Sequence, residues 1–370
     1  MKTVLVTGSE GFIGKNLIAA LQRREEVIIK TFTSKDGQKT LDAAIEEADI
    51  IYHLAGINRP ETDDEFIKGN VGLTQTLIEL LDKYNRKPAV ILSSTIQAIL
   101  DNPYGQSKKA SEDALLNFNQ RVGAPVCIYR LPNVFGKWSR PNYNTVVATF
   151  CYNIIRNIEI DISDPNRELE LVYIDDVIES FLKHLDVEAD PKRHWYYVTR
   201  RFSVTLGELV DKIRQLHAIR ETLTIPDCSD DFMKCLYATY LSFLPEDDFA
   251  YPVKLNTDKR GWLFELLKSE HFGQIFVSTT LPGITRGNHY HNTKLEKFCV
   301  VKGEGVIRFR SVISDKILEY AVNDKEIKVV DIPPGYTHSI KNVGTGEMIV
   351  LFWANQLFDA EKPDTFFSEV

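Results

Sequence analysis

The sequence predicts an α/β domain built on a doubly wound parallel sheet, followed by an all-β barrel. From Lys2 to about Arg130, short Val/Ile/Leu runs alternate with longer amphipathic segments, as the strands and helices of a parallel sheet do. Between Pro245 and Leu255 the chain is rich in acids and prolines and loses its helical rhythm. Beyond this stretch, short apolar runs are separated by Gly, Pro, Asn and Asp, which is typical of antiparallel strands joined by turns.

Length and composition agree with two globular domains. The chain has 370 residues, of which 44% are hydrophobic and 26% are charged, and it is about twice the usual domain length. We therefore predict one domain over residues 1–245 and a second over residues 246–370. The net charge of −8 is spread along the chain, and no basic run interleaves with aromatic residues, so we expect no nucleic-acid partner.

We also expect a cytoplasmic protein that does not enter a membrane. No apolar stretch reaches the ~18–20 residues that cross a bilayer. The first predicted strand begins at Thr3, which leaves no room for a signal peptide. The five cysteines contain no Cys-x-x-Cys pair, so we predict reduced thiols without a disulfide framework or a zinc knuckle.

A glycine-rich turn follows the first predicted strand and opens the first predicted helix. It has the spacing Gly-x-x-Gly-x-x-Gly, with Gly8, Gly11 and Gly14. Such a turn lets backbone N–H groups approach a pyrophosphate at a helix N-terminus. The sequence therefore predicts a Rossmann-like dinucleotide site. The cofactor contacts predicted from this turn and from the end of the third strand are Gly8, Gly11, Phe12, Ile13, Gly14, Leu54 and Ala55.

The end of the second predicted strand indicates which dinucleotide binds. NAD-dependent enzymes usually place an acid there to accept hydrogen bonds from the ribose. This chain has Thr33, Ser34 and Lys35 instead, and their hydroxyl and ammonium groups suit a 2′-phosphate. The sequence therefore favours NADPH, with Asp36 as the one nearby acid that would suit NAD.

Tyr104 and Lys108 lie at positions i and i+4 of a predicted helix, which puts them on one face. An ammonium beside a phenol stabilises the phenolate and prepares the tyrosine for proton exchange near neutral pH. We predict that Tyr104 donates a proton to a carbonyl oxygen while a nicotinamide delivers hydride to the carbon. Lys108 would hold the ribose and tune Tyr104.

These motifs, together with several further segments, resemble the extended short-chain dehydrogenases/reductases over roughly residues 1–245. The further segments are Asp49–Gly56, Asn70–Val71, Arg130–Gly136 and Val172–Val177. The resemblance implies that Ser94 orients the substrate carbonyl, with Ser93 or Thr95 as alternatives, and that Asn133 contacts a nucleotide sugar. Dehydratases of this family carry two acids after the catalytic hydroxyl, and their absence here favours simple reduction.

The second domain contains both sequence motifs of the cupins. Gly283-x5-His289-x-His291-x4-Glu296-x6-Gly303 resembles the first motif, and Pro334-Gly335-x2-His338-x3-Asn342 resembles the second. Imidazoles at i and i+2 of a strand point to the same side, where a carboxylate and a third imidazole can complete a metal site. We predict a jelly-roll cupin barrel with a divalent metal. Zinc is favoured, with manganese, iron and nickel as alternatives.

A second resemblance gives His289 a different role. Asp258–Trp262 and Arg286–Tyr290 are similar to segments of deoxysugar 3,5-epimerases, in which the histidine of the second segment is a base and Arg286 would contact substrate. A metal-bound imidazole has no free lone pair for that task. We favour metal ligation by His289, His291, Glu296 and His338. The proton-transfer residue is left open among Tyr290, Lys297, Lys302 and other pocket residues.

Over its full length the chain resembles bifunctional capsular-polysaccharide enzymes of the CapF type, in the pathway to UDP-N-acetyl-L-fucosamine. The resemblance implies C3 epimerisation of a UDP-4-keto-6-deoxy-HexNAc by the cupin, followed by C4 reduction with NADPH to UDP-2-acetamido-2,6-dideoxy-L-talose. It also implies a UDP-sugar partner, and we expect a homodimer. One alternative is a ketoreductase whose cupin serves only structure or dimerisation. Another is a plain sugar reductase or dehydrogenase with an inactive cupin.

Overall fold

The computed structural model describes the chain except for residues 58–61, 144 and 163. The chain forms two compact units. The first comprises residues 1–214 and 234–244, and the second comprises residues 215–233 and 245–370. No helix among the described residues is long and apolar enough to cross a membrane.

Strands alternate with helical segments up to residue 131, and shorter strands and further helices follow up to residue 244. The strands are β1 (Lys2–Thr7), β2 (Val27–Phe32), β3 (Ile50–His53), β4 (Ala89–Thr95), β5 (Val126–Leu131), β6 (Asn133–Phe135), β7 (Glu168–Tyr173), β8 (Trp195–Tyr196) and β9 (Phe202–Thr205). The helices are α1 (Phe12–Leu21), α2 (Gln38–Glu47), α3 (Asp63–Phe66), α4 (Leu73–Lys83), α5 (Pro103–Val122), α6 (Val146–Ile155), α7 (Ile174–Asp186), α8 (Leu206–His217), α9 (Ile219–Thr222) and α10 (Asp231–Leu241). A π-helical segment occupies Ile67–Gly72, and a 3₁₀ turn occupies Ile96–Ile99.

The main sheet of the first unit is parallel and has the order β2-β1-β3-β4-β5-β8. Its central strands are buried runs rich in Val, Ile and Leu because helices cover both faces, whereas the edge strands β2 and β8 are only partly buried. Strand β2 lies on one side of β1, and β3 lies on the other side, so the order of the strands reverses direction at β1. Ligands bind outside the carboxyl ends of the strands at such a reversal, which is where the glycine-rich turn lies. The predicted α/β fold of this part is confirmed.

The second unit is a stack of antiparallel sheets, as predicted for the all-β part. Its strands are β10 (Asn256–Asp258), β11 (Gly261–Ser269), β12 (Gly273–Thr280), β13 (Thr285–Tyr290), β14 (Glu296–Lys302), β15 (Glu304–Ser311), β16 (Ile317–Asn323), β17 (Val329–Ile332), β18 (Tyr336–Asn342), β19 (Met348–Ala354) and β20 (Phe366–Phe367). They pair in the orders β10-β11-β12-β19-β14-β17 and β16-β15-β18-β13-β20. The inward side chains form one apolar core, in which Ile307, Ile340 and Val350 are fully buried.

A helical segment from the middle of the chain also lies with the second unit. Residues 215–233 contain α9, and the backbone that follows α9 pairs with β11. The backbone N–H of Lys268 donates to the carbonyl of Leu223 at 2.7 Å, and the N–H of Ile225 donates to the carbonyl of Lys268 at 2.8 Å. The sequence pattern placed this segment in the first domain, because amphipathic helices do not reveal which core they pack against.

Candidate active site and metal centre

The glycine-rich turn is held tightly against the end of β3. Gly8 has a φ of 69°, which lies in the left-handed region that favours glycine. A Cβ on Gly8 would come within 2.7 Å of the Cα of Ala55, and a Cβ on Gly14 would come within 2.2 Å of the carbonyl oxygen of Gly8. Helix α1 therefore begins directly against the turn, with its free N–H groups at the carboxyl edge of the sheet.

A cavity of about 580 Å³ runs along this turn. Among the cofactor residues predicted from the sequence, it is lined by Gly8, Gly11, Phe12, Ile13, Gly14, Leu54, Tyr104 and Lys108. The amide N–H of Ala55 donates to the hydroxyl of Thr7 at 3.2 Å, which fixes the loop beside the cavity. The close glycine contacts and the orientation of α1 fit a dinucleotide pyrophosphate.

The residues after β2 are engaged with neighbouring charges. The Thr33 hydroxyl donates to the Asp36 carboxylate at 2.8 Å, and the Thr33 amide N–H donates to the same oxygen at 2.7 Å. These hydrogen bonds lower the pKa of Asp36. The ammonium of Lys35 donates to Glu10 in the glycine-rich turn at 2.8 Å, and Ser34 is exposed. Lys35 therefore lies within reach of the turn that the sequence assigns to the dinucleotide.

Tyr104 and Lys108 face the same cavity from the start of α5. The Lys108 ammonium donates to the carbonyl of Ser93 at 2.7 Å. Burial lowers the pKa of Lys108 to about 8, although the charge of Glu112 opposes this shift. Burial raises the pKa of Tyr104, and a hydrogen bond with Thr95 partly offsets that rise.

The hydroxyl of Ser94 does not join Tyr104. It donates instead to the buried carboxylate of Glu112 at 2.6 Å. Arg130 completes this network with a bidentate pair to Glu112, at 2.9 Å from Nε and 2.5 Å from the terminal nitrogen. Thr95, which the sequence left as an alternative to Ser94, is the hydroxyl that contacts the phenol of Tyr104.

The sequence interpretation did not include Glu112. A signal for it was present, because Tyr104, Lys108 and Glu112 follow one another at intervals of four residues and so lie on one helix face. The short connection between Ser94 and Tyr104 is explained by the 3₁₀ turn after β4. Helix α5 then begins at once, with the Asn102 side chain accepting a hydrogen bond from the amide of Gly105 at 2.7 Å.

A second cavity, of about 360 Å³, opens on the other side of Tyr104. The residues that line both this cavity and the nucleotide cavity are Phe12, Ile13, Ser93, Ser94, Tyr104 and Thr145. Asn133 and Arg167 line this second cavity and also an adjoining space of about 590 Å³. The predicted substrate contact Asn133 therefore lies in the same cavity as Tyr104, whereas Arg167 was not identified from the sequence.

The four predicted metal ligands converge in the second unit. The ligating atoms of His289, His291, Glu296 and His338 all lie within 4.8 Å of one another. A β-bulge in the pairing of β13 with β18 positions His289, because Gly287 and Asn288 take φ values of 97° and 61°. The bulge directs the His289 ring toward that of His338, with 4.5 Å between the ring centroids.

The polar atoms of this cluster fit a metal ion. The Nε2 atoms of His291 and His338 are buried and have no hydrogen-bond partner among the residues that the structure describes. They lie 3.3 Å and 3.5 Å from the same carboxylate oxygen of Glu296. Burial raises the pKa of Glu296, but contacts with the two imidazoles outweigh it and lower the pKa to about 2. Burial and the neighbouring imidazoles lower the pKa of His289 to about 4, so neutral imidazole and carboxylate, the ligating forms, are favoured.

The proton-transfer residues considered from the sequence do not gather around this cluster. Lys297 follows Glu296 directly in β14, so the two side chains point to opposite faces of the sheet. On its own face, Lys297 forms an ion pair with Asp331. Lys302 is exposed at the end of the same strand. Tyr290 stacks on Phe366, with 5.2 Å between the ring centroids.

The predicted substrate residue Arg286 is half-buried on β13. Its guanidinium donates to the Thr280 hydroxyl at 3.1 Å and to the Thr279 carbonyl at 2.8 Å. Burial and the nearby charge of Arg260 lower the pKa of Arg286. Asp258 opposes this shift, and its carboxylate pairs with Arg260 at 2.6 Å, so part of the positive charge at this position is already neutralised.

Comparison with known proteins agrees with this arrangement. Residues 4–198 match the NAD dependent epimerase/dehydratase family, and residues 256–366 match the polysaccharide biosynthesis C-terminal domain. The crystal structure of the capsular polysaccharide assembling protein CapF from Staphylococcus aureus is 46% identical in sequence to this chain. The two structures superimpose with a TM-score of 0.92, over 99% of this chain and 100% of that one. The chain belongs to the CapF family.

A further relative and a more distant structure complete the comparison. A Pseudomonas aeruginosa protein named UDP-2-acetamido-2,6-beta-L-arabino-hexul-4-ose reductase is 44% identical to this CapF-family chain, over 98% of the chain and 97% of the relative. The structure of the UDP-glucuronic acid 4-epimerase from Bacillus cereus in complex with NAD is 18% identical in sequence to this chain. It superimposes with a TM-score of 0.53, over 58% of this chain and 84% of the epimerase chain. That likeness shows the fold of the first domain alone.

Proposed function

We propose that this CapF-family chain is a bifunctional nucleotide-sugar enzyme. Its cupin domain epimerises C3 of a UDP-4-keto-6-deoxy-HexNAc, and its first domain then reduces C4 with NADPH to give UDP-2-acetamido-2,6-dideoxy-L-talose. The observation that carries the proposal is the position of Tyr104, which lines both the nucleotide cavity and the adjoining cavity. The reductase name of the 44% identical relative supports the same chemistry.

The reduction follows from the groups around Tyr104. The phenol gives its proton to the carbonyl oxygen of the sugar, and Thr95 orients that oxygen from its neighbouring position. The Lys108 ammonium stabilises the phenolate that remains and holds the nicotinamide ribose. When bound, a reduced nicotinamide would supply the hydride that the carbonyl carbon accepts.

The choice of NADPH rests on the segment after β2. Thr33, Ser34 and Lys35 offer hydroxyl and ammonium groups to a 2′-phosphate. Asp36 is held by Thr33, so it is turned toward its own loop. The Lys35 ammonium exchanges its exposed contact with Glu10 for the phosphate when the cofactor binds.

The sugar nucleotide occupies the cavities beyond Tyr104. Asn133 and Arg167 lie where the smaller cavity joins the larger one, which suits the diphosphate between a sugar at Tyr104 and a nucleoside farther out. In the cupin domain, the half-buried Arg286 beside Arg260 offers positive charge to the same diphosphate during epimerisation.

The cupin cluster holds a divalent metal, and we propose zinc because three imidazoles and one carboxylate are ligands that zinc accepts. When bound, the metal would act as a Lewis acid on the sugar carbonyl and make the C3 proton more acidic. His289, His291, Glu296 and His338 hold that ion, so a different group moves the proton.

The experiment is incubation with a UDP-4-keto-6-deoxy-HexNAc and NADPH in deuterated water, followed by assignment of the product by NMR. The proposal predicts NADPH oxidation, deuterium at C3 and the L-talo configuration. Reduction without deuterium at C3 would show that the cupin is a structural or dimerisation module. The predicted cytoplasmic homodimer stays a prediction, and light scattering of the purified protein tests its oligomeric part.

A further inference from the structure

The last residues of the chain lie against the metal-ligand strand. We call residues 363–369 the C-terminal strap. Its short strand β20 pairs with β13, so that Phe367 lies opposite His289 and Phe366 lies opposite Tyr290. The amide of Ser368 adds a hydrogen bond of 3.0 Å to the carbonyl of Asn288 in the bulge. The strap is therefore the outermost strand of the sheet that carries His289 and His338.

The carboxylate of Asp364 holds the loop that connects His291 to Glu296. It accepts hydrogen bonds from the backbone N–H groups of Asn292 at 3.1 Å, Thr293 at 2.8 Å and Lys294 at 2.9 Å. The Thr293 hydroxyl adds a further bond at 2.9 Å. One side chain from the strap thus fixes the segment between two members of the cluster.

The main-chain carbonyl of Asp364 has a second connection to the cluster. It accepts a hydrogen bond of 2.6 Å from Nδ1 of His291. This bond places the proton on Nδ1, so the lone pair is on Nε2, the buried atom that lies 3.3 Å from Glu296. A ligating histidine commonly depends on such a partner for its tautomer and ring orientation.

We propose that Asp364 is a positioning residue of the metal centre, a role that rests on the proposed metal site. Its carboxylate sets the loop, and its carbonyl sets the His291 ring. Because both connections belong to one residue, a change in the strap moves the loop and the ligand together. Linkage requires the converse as well, so a bound metal tightens the strap.

The test compares full-length variants by zinc affinity, measured by competition with a chromogenic chelator. Asp364→Ala is expected to weaken zinc binding about 10- to 100-fold. Asp364→Asn is expected to retain most of the affinity, because an amide oxygen still accepts the loop N–H groups and asparagine tolerates the φ of 41° found here. Asp359→Ala is the matched control, since that carboxylate accepts from Glu361 in its own segment.

Two further readouts separate positioning from a general effect on stability. The d–d spectrum of bound cobalt should change in Asp364→Ala and not in Asp359→Ala. Zinc should protect the strap from hydrogen exchange in the wild-type chain and much less in Asp364→Ala. Zinc affinity in Asp364→Ala equal to that of the wild type would overturn this inference and leave the metal site standing. A wild-type chain that binds neither zinc nor cobalt would overturn both.

Discussion

The hydroxyl of Ser94 donates a 2.6 Å hydrogen bond to the carboxylate of Glu112, a side chain without solvent exposure. Glu112 in turn forms its bidentate pair with Arg130. Ser94 lines both cavities, but this contact engages its hydroxyl, whereas the Thr95 hydroxyl hydrogen-bonds Tyr104. We therefore predict that Thr95, and not Ser94, orients the substrate, because the buried ion pair engages the Ser94 hydroxyl.

The two neighbouring hydroxyls should give different results when removed. Thr95→Val is expected to lower kcat for ketone reduction about 100-fold, because the oxygen of the substrate loses its orienting partner. Ser94→Ala should change kcat little and lower the free energy of unfolding by about 1–3 kcal/mol, because Glu112 loses a buried donor. NADPH oxidation and urea unfolding measure the two effects. The reverse pattern would return the orienting role to Ser94.

Removing the Tyr104 hydroxyl should separate the two proposed activities. Tyr104→Phe is expected to lower NADPH oxidation about 100- to 10,000-fold, because the variant lacks the phenol that lines both cavities and gives the proton in the proposed reduction. Exchange of the C3 proton with deuterated water should continue, because it depends on the cupin. Loss of both activities in a folded variant would contradict separate sites.

The buried Glu112 should contribute strongly to stability. Glu112→Ala is expected to lower the free energy of unfolding by about 3–5 kcal/mol, because Arg130 is left without its buried partner. Asp113→Ala is the control on the same helix, where the exposed pair with Lys109 contributes less than about 1 kcal/mol. Urea denaturation of both variants measures the difference. Equal losses in the free energy of unfolding would show that the buried pair of Glu112 with Arg130 stabilises the fold no more than an exposed pair does.

Reduction should decline in alkaline solution as Lys108 loses its proton. Burial lowers the pKa of Lys108 from its usual value to about 8, so the ammonium is present below that pH and lost above it. We expect kcat to fall above pH of about 8. In Lys108→Arg the guanidinium keeps its charge at alkaline pH. The fall in kcat should therefore begin at a higher pH in this variant, even if its maximal kcat is lower. Superimposable pH profiles would assign the fall in kcat to another group.

The cofactor preference can be tested at Lys35. Lys35→Glu is expected to raise KM for NADPH roughly tenfold relative to KM for NADH, because an acid would face the 2′-phosphate. Lys39→Glu makes the same charge change on the exposed side of α2 and serves as the control. Steady-state kinetics with both dinucleotides gives the ratio, and an unchanged ratio in Lys35→Glu would argue against NADPH selection by this residue.

Several features of the chain could be predicted from short stretches of sequence. The alternation of apolar runs gave the parallel sheet and the antiparallel sheets, and the glycine spacing gave the turn at Gly8. That His289 and His291 face the same side was predictable because strand periodicity places i and i+2 side chains together, whereas Glu296 and His338 were assigned from the resemblance to the cupin motifs. In each case the signal that permitted the prediction comes from residues that lie close together in the chain.

Other features were decided only by the tertiary structure. Glu112 accepts the hydrogen bond of the Ser94 hydroxyl from 18 residues away, and Asp364 holds a loop at Asn292 that lies 72 residues earlier. Residues 215–233 pack with the second unit although their helical pattern does not show it. The sequence alone determined which chemical groups are present and which neighbouring side chains lie on the same face of a helix or strand. The direction of a hydroxyl and the tautomer of a histidine depend on buried partners that distant segments bring together, so only the folded chain decided them.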